Sequence, residues 1–125
     1  LGSGDGRIPI RAAEQFGARG IGYELDSALV ARSRAAARDS GVADRVTFYR
    51  RDLFEADLSE ATVVTLYLFR PVNIKLRPKL LAELDPGDRV VSHRFHMGDW
   101  EPDGKFVEGW HWFYMWTIPE EPPEF

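Results

Sequence analysis

Three glycines within the first six residues constrain this chain more than any other feature of its sequence. The chain begins Leu1-Gly2-Ser3-Gly4-Asp5-Gly6, and a segment with apolar side chains at helical spacing follows. Alternating glycines allow positive φ angles and let a ligand approach the backbone without a Cβ in the way. A helix that begins directly after such a loop directs unpaired N–H groups and the positive end of its dipole toward that ligand. The loop therefore predicts a cofactor site, although a structural turn would also explain the glycines.

Two predicted strands that end near carboxylates favour the cofactor interpretation. The strand at 19–24 ends at Glu24, about 20 residues after the loop, where dinucleotide-type folds place the acid that binds ribose hydroxyls. A second strand at 46–50 is followed by Asp52. The nicotinamide fingerprint is G-x-G-x-x-G, whereas this loop reads G-x-G-x-G with Arg7 in place of the last glycine. This spacing disfavours a nicotinamide oxidoreductase.

These residues resemble the first three motifs of class I S-adenosylmethionine-dependent methyltransferases. The resemblance is carried by residues 1–6, by Tyr23-Glu24-Leu25-Asp26 and by Asp52-Leu53. The chain from 63–68 through 92–100 is also similar to small bacterial methyltransferase-domain proteins and, more distantly, to seven-strand protein-lysine methyltransferases. The resemblance implies transfer of a methyl group from S-adenosylmethionine to a protein lysine or a small molecule, with S-adenosylhomocysteine as product. The alternative is a non-catalytic S-adenosylmethionine-binding or interaction module.

The resemblance also implies roles for individual residues. Glu24 would accept both ribose hydroxyls, and Asp52 would accept from the adenine amino group. Tyr67 is the catalytic candidate, since it could position an acceptor amine. The full set of implied cofactor-binding residues is Gly2, Ser3, Gly4, Asp5, Gly6, Glu24, Leu25, Asp52, Leu53 and Tyr67.

The residues themselves leave other interpretations open. Glu24 could form a surface salt bridge, and Asp52 could pair with Arg50 or Arg51. Tyr67 could be an ordinary strand tyrosine with its hydroxyl at the rim.

The histidines are open to several interpretations as well. His93 and His96 have the H-x-x-H spacing of metal ligands, with Asp99 nearby, but no third ligand is evident and no metal site is predicted. Acid–base use of either histidine and a purely structural role both remain open. The aromatic run at 110–116 could seal the core or form a wall for a substrate or partner.

The order of the predicted elements indicates the fold class. Strands and helices alternate up to residue 95, and strands at 105–108 and 110–118 follow. This order predicts an α/β, Rossmann-like three-layer sandwich with a mixed, mostly parallel sheet that ends in an antiparallel hairpin. Helices are predicted at 8–17, 26–40 and 73–84, with Pro78 starting or kinking the third. We expect residues 1–118 to form one domain and residues 119–125 to form a mobile tail.

The family pattern and the amino-acid composition lead to further expectations. The strand and helix that usually precede the glycine loop are absent from this sequence, so a partner copy, a rearranged sheet or further residues of a longer protein could cover the exposed sheet edges. The formal net charge of -4 disfavours general nucleic-acid binding. Without a cysteine there is no disulfide framework or thiolate nucleophile. We expect a cytoplasmic protein that does not bind membranes.

Overall fold

A computed structural model describes residues 1–123, which fall into two compact units, 1–56 and 57 onward. Residues 124 and 125, the end of the predicted tail, lie outside the described residues. The elements in chain order are α1 (Arg7–Phe16), β1 (Gly20–Glu24), α2 (Ser27–Asp39), β2 (Val46–Arg50), β3 (Val63–Leu66), α3 (Arg70–Glu83), β4 (Arg89–His93), β5 (Gly104–Glu108) and β6 (His111–Thr117). A 3₁₀ turn, Leu53–Glu55, follows β2.

The first unit is a two-stranded parallel sheet with α1 and α2 packed on it. The strands pair from Gly20 opposite Val46 to Glu24 opposite Arg50. Asp26 precedes helix α2 and caps it, since its carboxylate accepts from two backbone N–H groups of the first turn. The buried apolar residues between the sheet and the helices are Ile10, Ala13, Val30, Ala37, Val42, Val46 and Phe48.

The second unit is a four-stranded sheet in the order β3-β4-β6-β5. Strands β3 and β4 are parallel, whereas β6 is antiparallel to both β4 and β5. The predicted mixed α/β architecture with a terminal antiparallel hairpin is therefore confirmed. Leu76, Leu80, Val90 and Trp116 are each fully buried in this unit.

The predicted single sheet is divided in two. Strands β1 and β2 bond only to each other in the described residues, and β3 bonds only to β4. No strand of residues 1–123 pairs with both β1 and β3.

The third helix differs from its prediction. It begins at Arg70 rather than 73, because Pro71 occupies the first helical turn, where no backbone N–H is needed. Pro78 lies inside the helix and does not start it. The apolar run at 62–69 predicts a strand, and β3 occupies only Val63–Leu66 of that run. None of the helices in residues 1–123 is long and apolar enough to cross a bilayer.

The aromatic run of β6 is only partly a core feature. Trp116 is fully buried, whereas Trp110 is 88% exposed at the hairpin turn. Burial does not alternate along β6: it rises from the exposed Trp112 near the turn to Trp116 near the end of the strand, and Trp110 lies in the turn itself. The interpretation that the aromatic run at 110–116 seals the core therefore holds for Trp116 and not for the whole run.

Candidate functional site

The glycine loop adopts the left-handed backbone that its sequence predicts. Gly2, Gly4 and Gly6 have φ angles of 66°, 58° and 82°, a region that residues with a side chain rarely adopt. The Ser3 N–H donates to the Tyr23 carbonyl at 3.1 Å, which ties the loop to β1. The loop then leads directly into α1, so the N-terminus of that helix borders it.

Two glycines are required by close packing. A Cβ on Gly6 would lie 2.6 Å from the Phe48 ring, and a Cβ on Gly22 would lie 2.6 Å from the same ring. The Gly22 Cβ would also be 2.9 Å from Ser3 Cβ. The loop therefore rests on β1 and on the Phe48 ring without room for a methyl group.

The Glu24 carboxylate holds the loop and the start of α2 together. One oxygen accepts from the Gly4 N–H at 3.0 Å, and the other accepts from Leu25 N–H at 2.9 Å and Asp26 N–H at 3.1 Å. None of the ion pairs among residues 1–123 includes Glu24, so the surface salt-bridge interpretation is wrong. Each carboxylate oxygen has two lone-pair sites, so the group retains capacity for a ligand hydroxyl.

Asp52 caps the turn after β2 and is not paired with its neighbouring arginines. One carboxylate oxygen accepts from the Phe54 N–H at 2.9 Å. Arg50 donates instead to the Leu25 carbonyl at 3.1 Å, and the Arg51 guanidinium lies over a tyrosine ring. The alternative of an Arg–Asp52 pair is therefore wrong, and the role of Asp52 in binding adenine stays a prediction.

The two strand ends lie side by side, as the sequence predicts. Because Glu24 is opposite Arg50 in the parallel register, the segments after β1 and β2 leave the sheet at the same edge. Leu25 is an apolar side chain with 62% exposure at this edge, which suits it to packing against a planar ring. Leu53 follows Asp52 and is half-buried.

The Asp5 side chain is directed to the start of α1. Arg7 donates to both carboxylate oxygens, through Nε at 3.1 Å and Nη2 at 2.7 Å. This side-chain hydrogen bond from Arg7 is the main reason why the pKa of Asp5 is lowered. A role of Asp5 in cofactor binding stays a prediction.

Ser33 is a functional-site residue that the sequence reasoning missed. Its hydroxyl lies 3.0 Å from the Gly4 carbonyl and 2.8 Å from the Leu29 carbonyl, and the residue is fully buried. It therefore anchors the glycine loop from α2. The available signal was its spacing, since position 33 shares the buried stripe of Val30 and Ala37.

Tyr67 lies in the second unit, directly after β3, and contacts His93, which is itself paired with His111. Its ring stacks on the His93 ring with centroids 4.1 Å apart and an angle of 6° between the planes. His93 Nε2 lies 2.8 Å from His111 Nδ1. His96 meets the edge of Tyr114 instead. The predicted contact of Tyr67 with the cofactor stays a prediction.

The H-x-x-H pair is not part of a metal cluster among residues 1–123. His93 is directed to His111, and Asp99 accepts a hydrogen bond from Arg77. That side-chain hydrogen bond is the main reason why the pKa of Asp99 is lowered.

A glycine loop that leads into α1 and is fastened by the glutamate at the end of β1 is typical of a class I S-adenosylmethionine-dependent methyltransferase. The match of residues 1–104 to the model of the ANTKMT methyltransferase domain supports the same class. The chain belongs to that family.

Named relatives and solved structures agree with this assignment. The chain is 45% identical to a protein-lysine N-methyltransferase of Saccharolobus islandicus, covering 96% of this chain and 78% of that protein. It is 43% identical to the adenine nucleotide translocase lysine N-methyltransferase of Mus musculus, covering 87% of this chain and 48% of that protein. The chain thus spans about half the length of the mouse relative.

One solved structure, with 60% sequence identity, covers nearly the whole chain. A crystal structure described as an RNA methyltransferase from Salinibacter ruber in complex with S-adenosyl-L-homocysteine matches with a TM-score of 0.96 and 60% identity. The match covers 99% of this chain and 81% of that chain. A S-adenosylmethionine-dependent methyltransferase from Geobacter sulfurreducens, also with S-adenosyl-L-homocysteine, matches at 0.62 and 26% identity, covering 75% of this chain and 39% of that one. The predictions of methyltransferase class, Rossmann-like fold and cofactor are confirmed.

Proposed function

We propose that this chain transfers the methyl group of S-adenosylmethionine to the side-chain amine of a lysine in a protein. The observation that carries the proposal is its 45% identity, over 96% of its length, to a protein-lysine N-methyltransferase of which it spans 78%. The mouse relative is named for a protein-lysine substrate as well. The negative net charge of the chain also favours a protein over a polyanion as acceptor.

The residues of the first unit fit the cofactor. Glu24 would bind the ribose, because three backbone N–H groups fix its carboxylate and one of its roughly four lone-pair sites is left for a hydroxyl. Leu25 would cover one face of the adenine, and Asp52 would accept from its amino group. The cofactor supplies a methyl group on a sulfonium, which is an activated leaving group. The protein therefore has to bind, align and desolvate the reactants.

Binding of the cofactor is tested by calorimetry with S-adenosylhomocysteine. The variant Glu24→Ala loses the ribose contact and the clamp on the Gly4 N–H, so we expect its affinity to fall by at least about tenfold. Glu14→Ala is the matched control, because Glu14 is an exposed glutamate on α1. Equal affinity of Glu24→Ala and the wild type would contradict the proposed site.

The acceptor is tested by transfer of a labelled methyl group to three substrate pools. These are a protein extract, total RNA and a mixture of small amines. We expect label in protein, recovered as methyl-lysine after acid hydrolysis. Label in RNA alone would overturn the lysine proposal. The acceptor would then be RNA, as the description of the similar Salinibacter ruber protein as an RNA methyltransferase states for that protein.

A non-catalytic module is distinguished in the same experiment. Such a protein would bind S-adenosylhomocysteine in the calorimeter but would release none from S-adenosylmethionine with any pool. The expected self-association of the chain stays a prediction, and light scattering measures it.

A further inference from the structure

Leu25 has an exposed apolar side chain on a backbone that is held by hydrogen bonds. It lies between Glu24, the last residue of β1, and Asp26, which caps α2. A single exposed leucine needs no explanation by itself. The contacts of its backbone, however, fix the position from which the side chain projects. The inference rests on the proposed function, in which Leu25 covers one face of the adenine ring.

Every backbone polar group of residues 25 and 26 has a partner. The Leu25 N–H donates to Glu24 Oε2 at 2.9 Å, and the Asp26 N–H donates to the same oxygen at 3.1 Å. The Leu25 carbonyl accepts from Arg50 Nε at 3.1 Å. The Asp26 carbonyl accepts from the Val30 N–H at 3.0 Å, which is the first bond of α2. The backbone that carries the Leu25 side chain is therefore fixed on both sides.

Arg50 is the partner that reaches this segment from a different strand. It is the last residue of β2 and lies directly opposite Glu24 in the parallel register. Its side chain crosses from that strand end to the Leu25 carbonyl, 25 positions away in the chain. The other three hydrogen bonds join residues at most four positions apart. Of the four, only the bond from Arg50 ties the segment after β1 to the neighbouring strand.

The Arg50 guanidinium is committed to this carbonyl rather than to a carboxylate. None of the ion pairs in the described part of the chain includes Arg50. A hydrogen bond from a charged donor is stronger than one between two neutral groups. Because Arg50 is exposed, its loss should change the stability of the first unit little. The loss should instead free the backbone of Leu25, which would keep only its local bond to Glu24.

We propose that Arg50 is a positioning residue for the cofactor, because it fixes the Leu25 side chain in place before the adenine arrives. A site residue that is mobile in the free protein has to be ordered on binding, and that ordering lowers the affinity. A residue that is already ordered avoids this loss. Arg50 has this effect without touching the cofactor. Its contribution therefore depends on the presence of the Leu25 side chain.

The first test is calorimetry of the whole chain with S-adenosylhomocysteine. Arg50→Met removes the donor but keeps an unbranched side chain, so we expect the affinity to fall about three- to tenfold. Arg50→Lys keeps a charged donor and should recover part of the loss. Arg51→Met is the matched control, because it removes the same charge from a side chain that lies over the Tyr49 ring, 5.0 Å from its centroid. The control should bind within about twofold of the wild type.

A double-mutant cycle separates positioning from direct contact with the cofactor. Leu25→Ala removes the apolar side chain and should itself weaken binding. In that background Arg50→Met should cause less than about a twofold further loss, because the side chain that Arg50 positions is no longer there. Direct contact of Arg50 with the ligand would make the two losses multiply.

The free protein supplies a second measurement that needs no cofactor. Backbone ¹⁵N relaxation should give the Leu25 amide an order parameter of about 0.85 in the wild type and in Arg51→Met, the value of rigid backbone. Arg50→Met should lower it toward about 0.6, the value that marks flexible backbone. The Tm of Arg50→Met should stay within about 2 °C of that of Arg51→Met, which establishes that the variant folds.

Three results would overturn the inference. One is an affinity of Arg50→Met equal to that of Arg51→Met. Another is a pair of losses that multiply in the Leu25→Ala background. The third is an unchanged order parameter of the Leu25 amide in Arg50→Met. Failure of the proposed function has a different signature: a wild type that binds no S-adenosylhomocysteine refutes the cofactor site. A wild type that binds it but methylates no lysine refutes only the acceptor, and the affinities of the variants still decide the role of Arg50.

Discussion

Replacing Gly22 by alanine tests whether the glycine loop depends on direct contact with β1. The new Cβ would lie 2.6 Å and 2.8 Å from two carbons of the Phe48 ring and 2.9 Å from Ser3 Cβ. Contacts under 3.0 Å require a shift of the ring, the loop or the strand. Overpacking of this kind costs about 1–3 kcal/mol, and the loss of glycine's unfolded-state entropy returns about 0.5 kcal/mol. We therefore expect a net loss of about 0.5–2.5 kcal/mol.

The loss is measured by thermal unfolding and by calorimetry with S-adenosylhomocysteine. In a domain of this size 1 kcal/mol corresponds to about 4 °C, so Tm should fall by about 2–10 °C. Cofactor affinity should fall as well, because the displaced residue Ser3 belongs to the loop. The matched control is Gly104→Ala, where the nearest atom to the new Cβ is 3.9 Å away. That strand glycine should tolerate alanine, with Tm unchanged or slightly raised.

A double-mutant cycle isolates the contact with Phe48. Phe48→Leu alone should cost about 1 kcal/mol through lost packing, but it opens space for the Gly22→Ala methyl group. The two changes together should cost less than the sum of the single changes, by at least about 0.5 kcal/mol. Strict additivity, or a Gly22→Ala protein as stable as the Gly104→Ala control, would refute the packing argument.

The remaining predictions concern three other contacts. Ser33→Ala leaves the Gly4 carbonyl without its hydroxyl donor and should cost about 1–2 kcal/mol in denaturant unfolding, with weaker S-adenosylhomocysteine binding; unchanged binding would exclude an anchoring role. Trp116→Ala should cost about 3–5 kcal/mol, whereas Trp110→Ala should stay within about 0.5 kcal/mol; similar losses for both would contradict the observed burial. Burial raises the pKa of Glu83, but hydrogen bonds from the Leu58 N–H and the Lys79 ammonium lower it more, so the pKa is lowered overall. The resulting stability is present above the unfolded pKa of about 4.3 and is lost as pH falls below it, so Glu83→Gln should flatten the dependence of Tm on pH between 5 and 3.

The sequence by itself determined the local elements and the class of the protein. The alternating glycines at 2, 4 and 6 require positive φ angles, and the structure has them at all three positions. The boundaries of β2 were predicted without error, and Asp26 caps α2 as its residue type and place indicate. These features depend on a few neighbouring residues, so the chain order alone specifies them.

Only the tertiary structure decided which partners those residues meet. Glu24 binds the Gly4 N–H twenty positions away, and the Ser33 hydroxyl reaches the Gly4 carbonyl from α2, 29 positions away. His93 and His111 meet because β6, rather than β5, pairs with β4. Side-chain contacts across such separations depend on strand order and register. Those follow from the packing of the whole sheet, which no local pattern of residues encodes.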